Sequence, residues 1–260
     1  AGLVKGASEG EGLGNKFLAH IREVNIICNV LRFFPDSNII HTEGTIDPKR
    51  DKETIETELI LADLQTLTKQ KDKKYDTLIT ELNSGKMARD VVTDPEIVRD
   101  LQLLTMKPFM YVANVSEDQL QSLQGESLKA ISICAETESQ LSGMSEQEQK
   151  DYLASLGVVS SGLDLLIKKS YETLGLISFL TTGELESRAW TIEKGMLAPQ
   201  AAGVIHTDFE KKFIKCDTVS FDDFISLGGW KKAREAGKAR SEGKEYVMQD
   251  GDVVEFKIGS

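Results

Sequence analysis

The hydrophobic pattern divides the chain into two stretches of different character. Residues 15–24 place Phe17, Leu18 and Ile21 on one side of a short predicted helix. IICNVLRFF (26–34) is an apolar run of strand length, the kind buried in a parallel sheet. PDSNIIHTEGTIDPKRD reads as a loop, with Pro35, Pro48 and Gly44. From Asp51 the pattern turns helical, with Ile55, Leu59 and Ala62 in one stripe and Ile60, Leu64 and Leu67 beside it. The charged KQKDKKYD separates this from a second predicted helix around Leu78, Ile79 and Leu82. Asn83-Ser84-Gly85 ends that one, and Pro95-Glu96 opens a third carrying Ile97, Leu101 and Leu104. This polar helical stretch, about 51–105, is either a hairpin projecting from the domain or a layer over the sheet. Beyond Pro108, FMYVANVSED is a second buried strand, 119–129 read as a helix, and AISICAETE reads as a third strand.

Strand, long helical insertion, strand, helix, strand is the order of part of an α/β doubly wound domain. Ligands of such folds sit beyond the carboxyl ends of the strands, where Phe34, Asn114 and Cys134 fall. After Tyr152 and a predicted helix near 161–174 the pattern changes. ISFLTTG, SRAWTIEKG, GVIHTDF and FIKCDTV are short, β-rich and separated by turn signals. A helix is predicted from about Gly228 to Glu242, and Asp250-Gly251 in YVMQDGDVVEFKI is a hairpin signal. The expected division is therefore 1–174 and a compact α+β module of 175–260.

Composition narrows the function classes. With 40% hydrophobic and 28% charged residues in 260, the chain suits one large or two modest globular domains. A net charge of −11 disfavours a surface that coats nucleic acid throughout, and no DNA partner is expected, though local basic patches survive such totals. Cys28, Cys134 and Cys216 form no C-x-x-C pair, so reduced thiols are expected and no metal ligands are assigned in this chain. No apolar run approaches the ~20 residues of a membrane span, so no membrane partner is expected and the expected location is cytoplasmic.

Candidate chemistry lies in four places. Five glycines among the first fourteen residues, AGLVKGASEGEGLG, make a loop that either wraps a phosphate or links surfaces. A phosphate-binding P-loop requires G-x-x-x-x-G-K-[S/T], and the chain has none: Gly85-Lys86 is followed by Met87. Asn114-Val115-Ser116-Glu117, at the end of a predicted strand, is either a helix-capping turn or a base-reading loop. Lys231, Arg234 and Lys238, at i, i+3 and i+7, share one face of the predicted helix, as a stripe for RNA phosphates or as a solvated face.

AGLVKGAS-x-GEGLGN resembles the segment after the switch II aspartate of the Obg-like ATPases, the YchF family of P-loop proteins, and the resemblance runs from Ala1 to Ile258. It implies that Ala1 and Gly2 end a switch II D-x-A-G motif, with the P-loop, switch I and magnesium ligands upstream. GTP-binding relatives read N-K-x-D where this chain has N-V-S-E, and their aspartate accepts two hydrogen bonds from guanine. The resemblance therefore implies ATP, with Asn114, Val115 and Glu117 at the nucleotide. It implies that Phe34 and Val115 sandwich the base, although Phe34 also suits plain core packing. Cys134-Ala135-Glu136 stands where the family-wide loop is Ser-Ala-Lys, leaving the Ala135 amide as a contact. His41, in NIIHTEG, is the candidate catalytic residue in place of a water-orienting glutamine, or an exposed loop histidine.

W-T-I-E-K-G (190–195), A-P-Q-A-A-G (198–203) and M-Q-D-G-D-V-V-E-F (248–256) match, in order, the TGS module that ends proteins of this family. His206 and Asp208 then belong to a recognition or inter-domain surface. The implied architecture is a partial P-loop NTPase domain, doubly wound, with an inserted helical hairpin shorter than is usual, followed by an α+β β-grasp TGS domain. The implied function is ATP hydrolysis to ADP and phosphate with Mg2+, with the ribosome or ribosomal RNA as partner and no activity from this chain alone. The alternative is a non-catalytic docking protein that meets the translation machinery through the TGS module and the helical insertion.

Overall fold

Three short strands with little polarity inside them pair in parallel and set the frame of the first unit. The computed structural model describes residues 13–35, 44–120, 130–183 and 186–259. They divide into two compact units between Ser170 and Tyr171. In chain order the first holds α1 (Leu13–Glu23), β1 (Ile27–Arg32), α2 (Pro48–Gln70), α3 (Asp76–Asn83), α4 (Ala88–Val91), β2 (Phe109–Asn114), β3 (Ile131–Ile133), α5 (Ala135–Leu141) and α6 (Glu146–Ser155). The helix α7 (Gly162–Leu174) runs across the division. The sheet order is β1-β2-β3, all parallel, with Arg32 opposite Asn114 and Asn114 opposite Ile133.

The helical stretch starts earlier than its apolar periodicity. Asp47 accepts hydrogen bonds from the Lys49 and Arg50 amides at 3.1 Å, and Pro48 occupies the first turn, so α2 begins three residues before Asp51. Its two stripes serve different neighbours. Leu59 and Ala62 pack with Leu18, Leu104 and Phe109, while Ile60 and Leu67 join Tyr75, Leu78, Leu82 and Met87.

The third predicted helix is absent. Pro95–Leu101 and Leu104–Met106 are 3-10 helical turns separated by Gln102 at φ 47°. At the far end of this stretch the chain is held by Asp63, 0% exposed within α2. Its carboxylate accepts from the Leu104 amide at 2.8 Å and from the Thr105 amide and hydroxyl at 2.7 Å each. Those amides are thereby taken from any α-helical ladder. Burial pushes the Asp63 carboxyl above its ordinary range, against the pull of these donors and of Arg22. The third strand is also shorter than AISICAETE suggests, because it ends at Ile133 and Ala135 opens α5.

The second unit continues with β4 (Leu176–Thr182), β5 (Ser187–Glu193), α8 (Ala198–Ile205), α9 (Thr207–Lys211), β6 (Phe213–Ser220), α10 (Phe221–Leu227), α11 (Trp230–Glu235), β7 (Arg240–Glu242) and β8 (Asp252–Ile258). The sheet order is β5-β4-β8-β6-β7, with β4 and β8 parallel and the remaining pairs antiparallel. Ala198, Ala201 and Ala202 bring α8 close enough to bury Phe179, Ile192, Phe213 and Met248, and Phe256 meets Phe179 edge-on at 5.7 Å.

Three expectations fail in this unit. GVIHTDF is helical: Gly203 to Ile205 end α8, and His206 caps α9 by accepting the Asp208 amide at Nδ1, 3.3 Å away. The Asp250-Gly251 turn joins no hairpin, because Asp250 accepts the Ser178 amide at 2.8 Å and the Gly251 amide donates to the Ser178 carbonyl at 2.8 Å. That clasp delivers β8 parallel to β4. The helix from Gly228 to Glu242 stops at Glu235, closed by Gly237 at φ 68° with the Lys238 amide donating to Ala233.

Substituting Asp63→Asn puts an amide group against the Thr105 or Leu104 donors. The expected loss is about 1–3 kcal/mol of unfolding free energy, read from urea denaturation of the chain.

Candidate functional site

The carboxyl ends of β1, β2 and β3 meet through main-chain bonds that extend the ladders past their last paired residues. The Phe33 amide donates to the Asn114 carbonyl at 2.8 Å, and the Val115 amide donates to the Ile133 carbonyl at 2.9 Å. The Asn114 side chain then spans the remaining gap, its Oδ1 lying 3.4 Å from the Ala135 amide that donates to it. Phe34, Asn114, Cys134 and Ala135 are thereby gathered at one end of the sheet. Phe34 is half-buried, with the Arg32 guanidinium 4.8 Å from its ring centre and the Arg32 Nε donating to the Phe34 carbonyl at 2.9 Å.

Two side chains stand elsewhere than expected. Val115, expected to flank a base, is 2% exposed and packs with Ala113, Leu120, Cys134, Leu141, Leu153 and Val158. An apolar side chain at a strand end, with a hydrophobic cluster beneath it, gains more from burial than from facing water. Cys134 is buried in the same cluster, so the loop it opens offers backbone and the exposed Ala135. His41, Ala1 and Gly2 lie outside the described residues.

Glu117 is exposed, but its Oε2 is engaged. It accepts the Thr137 hydroxyl of α5 at 3.2 Å and the Tyr152 hydroxyl of α6 at 2.8 Å. Gln140 Oε1 lies 2.8 Å from the same tyrosine oxygen. A hydroxyl has one proton, so donation to the carboxylate leaves the Gln140 carboxamide to face the tyrosine lone pairs through its amide. The bond to Glu117 is the largest of the influences that raise the Tyr152 phenol above its ordinary range. Sequence reasoning missed Thr137, Gln140 and Tyr152. No spacing signal could have found them, since Tyr152 lies 35 residues from Glu117.

The basic residues of the second unit do not form a helical stripe. Arg234 is paired with Glu255 at 2.6 Å and Asp217 at 3.5 Å, and Lys238 lies in the turn beyond α11, 3.4 Å from Asp223. Lys231 is exposed on α11. Among the described residues, no group of three or more His, Cys, Asp or Glu could hold a metal ion.

Comparison with known proteins gives the fold a lineage. The "Ribosome-binding ATPase YchF" of Bacillus subtilis (strain 168) is 48% identical over 291 residues, covering 99% of this chain and 80% of that protein. The chain belongs to the YchF family. The protein of the same name from Escherichia coli O157:H7 is 42% identical over 286 residues, covering 98% of this chain and 79% of the other. Residues 176–259 match the family model YchF-GTPase_C, described as a protein of unknown function (DUF933). "Structure of the Schizosaccharomyces pombe YchF GTPase" aligns with a TM-score of 0.77 at 33% identity, over 95% of this chain and 76% of that one. The Bacillus alignment is longer than this chain, so that YchF relative carries residues with no counterpart here.

In this YchF-family chain one close approach holds α5 to α7. The Gly162 amide donates to Glu138 Oε1 at 2.7 Å, and a Cβ on Gly162 would fall 2.7 Å from Ile133 Cγ1 and 3.1 Å from Ile133 Cα. Gly162→Ala is expected to destabilise the first unit by about 1–3 kcal/mol through overpacking against β3. The shift in denaturation midpoint checks it, and an unchanged midpoint contradicts it.

Proposed function

We propose that this chain supplies adenine recognition and ribosome docking to an ATP-hydrolysing protein of the YchF family. The observation that supports base binding most directly is the junction of the β2 and β3 ends, where Asn114 Oδ1 takes the Ala135 amide. That arrangement leaves the Asn114 side-chain amide and the exposed Ala135 turn beside Phe34, whose ring offers a stacking face for a purine. The names of the relatives point to the wider activity, with ATPase and ribosome binding for the bacterial proteins and GTPase for the fission yeast structure. We take ATP over GTP because Glu117 is one methylene longer than the guanine-reading aspartate and Val115 replaces the lysine.

Hydrolysis needs groups that hold the triphosphate and Mg2+, and the 260 residues contain no P-loop motif. We therefore assign phosphate and magnesium binding to residues outside these 260, and predict no hydrolysis by the chain alone. The metal, when bound, would neutralise charge on the transferred phosphoryl group. On sequence alone we assign His41 to orienting the attacking water. In the second unit, residues 175–260 are proposed as the TGS domain, and 51–105 as a shortened helical insertion. Ribosomal contact by Lys231 is part of this reading. Arg234 and Lys238 contribute less than a clear basic stripe would, being matched with carboxylates. With a ribosomal partner the proposed location is the cytoplasm. No helix among the described residues is long and apolar enough to cross a membrane. The missing P-loop motif equally favours a non-catalytic docking protein, which the same experiment separates.

Calorimetry with ATP and GTP in the presence of magnesium, on the chain and on the full gene product, tests the reading. The full gene product is expected to bind ATP more tightly than GTP, and Asn114→Ala to weaken ATP by about tenfold or more. Failure of the full gene product to bind either nucleotide would leave the docking protein.

A further inference from the structure

Glu117 stands at the position that decides the base, yet its carboxylate is committed to the protein. We infer that Tyr152 and Thr137 are positioning residues that tether Glu117 against α5 and α6 and thereby keep the site from accepting guanine. The inference rests on the nucleotide reading above.

The geometry carries it. Guanine presents two adjacent donors, the ring N–H and the exocyclic amine, and a carboxylate matches them by offering both oxygens. In this chain Oε2 of Glu117 already receives two hydroxyl protons, from Tyr152 at 2.8 Å and Thr137 at 3.2 Å. Hydrogen bonds to an ionised acceptor are among the stronger ones, so turning the carboxylate to guanine breaks both. Adenine presents no such paired donors and makes no demand on the carboxylate. Rejection of guanine is then built from the protein side, by occupying the group that would read it.

The tether is itself well supported. Thr137 is buried on α5, where only its hydroxyl reaches Glu117. The Tyr152 ring packs against the cluster of Leu120, Cys134, Leu141 and Leu153, and its hydroxyl projects to Glu117 and Gln140. The start of α5 is fixed by the Ala135 amide on Asn114, and its fourth residue, Glu138, holds the Gly162 amide at 2.7 Å. One frame thus positions both the asparagine and the acid.

The test is the ATP-to-GTP affinity ratio of the full gene product by calorimetry. Tyr152→Phe keeps the ring in the cluster and Thr137→Val keeps the buried shape, so both leave the fold in place, which the melting temperature monitors. Together they are expected to lower the ratio about tenfold, chiefly by tightening GTP, as Glu117 becomes available to guanine. Tyr152→Phe alone should move the ratio in the same direction by less. In a Glu117→Ala background the pair should change nothing, a result that a merely structural role for the two hydroxyls would not give. An ATP-preferring protein whose ratio is untouched by the substitutions overturns the inference alone. A wild-type protein that prefers GTP, or binds neither nucleotide, overturns the underlying reading before any substitution is made.

Discussion

A parallel strand that ends at the edge of its sheet must pass its last backbone groups to some partner, and here the partner is the neighbouring strand's exit. The Val115 amide goes to the Ile133 carbonyl, and the Ala135 amide goes to the Asn114 side chain. The Val115 donor, buried at the junction, would cost about 1–3 kcal/mol if left unpaired. That cost is avoided only if the β2 and β3 ends stay in register. The register in turn buries Val115 and Cys134 beneath the junction and leaves Ala135 and the Asn114 amide above it. The residues of the junction are therefore divided between packing and the proposed recognition by which side of the chain they occupy.

The acid at the fourth position of the N-x-x-E segment follows from the same frame. α5 starts at Ala135 because β3 ends, and its first turn delivers Thr137 to Glu117. α6 brings Tyr152 to the same oxygen, having been capped at Ser145 by a reciprocal bond with Glu148. The proposed purine site would in this way be adjusted by residues that need not touch the ligand. The second unit uses a comparable device, with Asp250 and Gly251 clasping Ser178 to set β8 alongside β4.

Much of this was legible from the residues. The succession of strands along the chain, the alignment of Phe34, Asn114 and Cys134 at the carboxyl ends, and family membership all follow from apolar runs and ordered motifs. Local signals failed where a distant group overrode them. Pro95 and the Leu101–Leu104 spacing predict an α-helix that runs to Leu104, but Asp63, 41 residues from Leu104, takes the Leu104 amide. Asp250-Gly251 predicts a hairpin until Ser178, 72 residues away, claims both groups. The run to Glu242 reads as one helix, although Ala236-Gly237 was a C-terminal signal present in the sequence. The family resemblance assigns Val115 to the base, whereas its neighbours in space are Leu120, Leu141 and Leu153.

Hydrogen exchange of the full gene product, with and without saturating ATP and magnesium, tests the central claim most directly. If the β2 and β3 ends form one base-binding unit, the amides of Val115 and Ala135 gain protection together when ATP binds. ATP bound with both amides exchanging as before would contradict the account, and would place the base elsewhere in the fold.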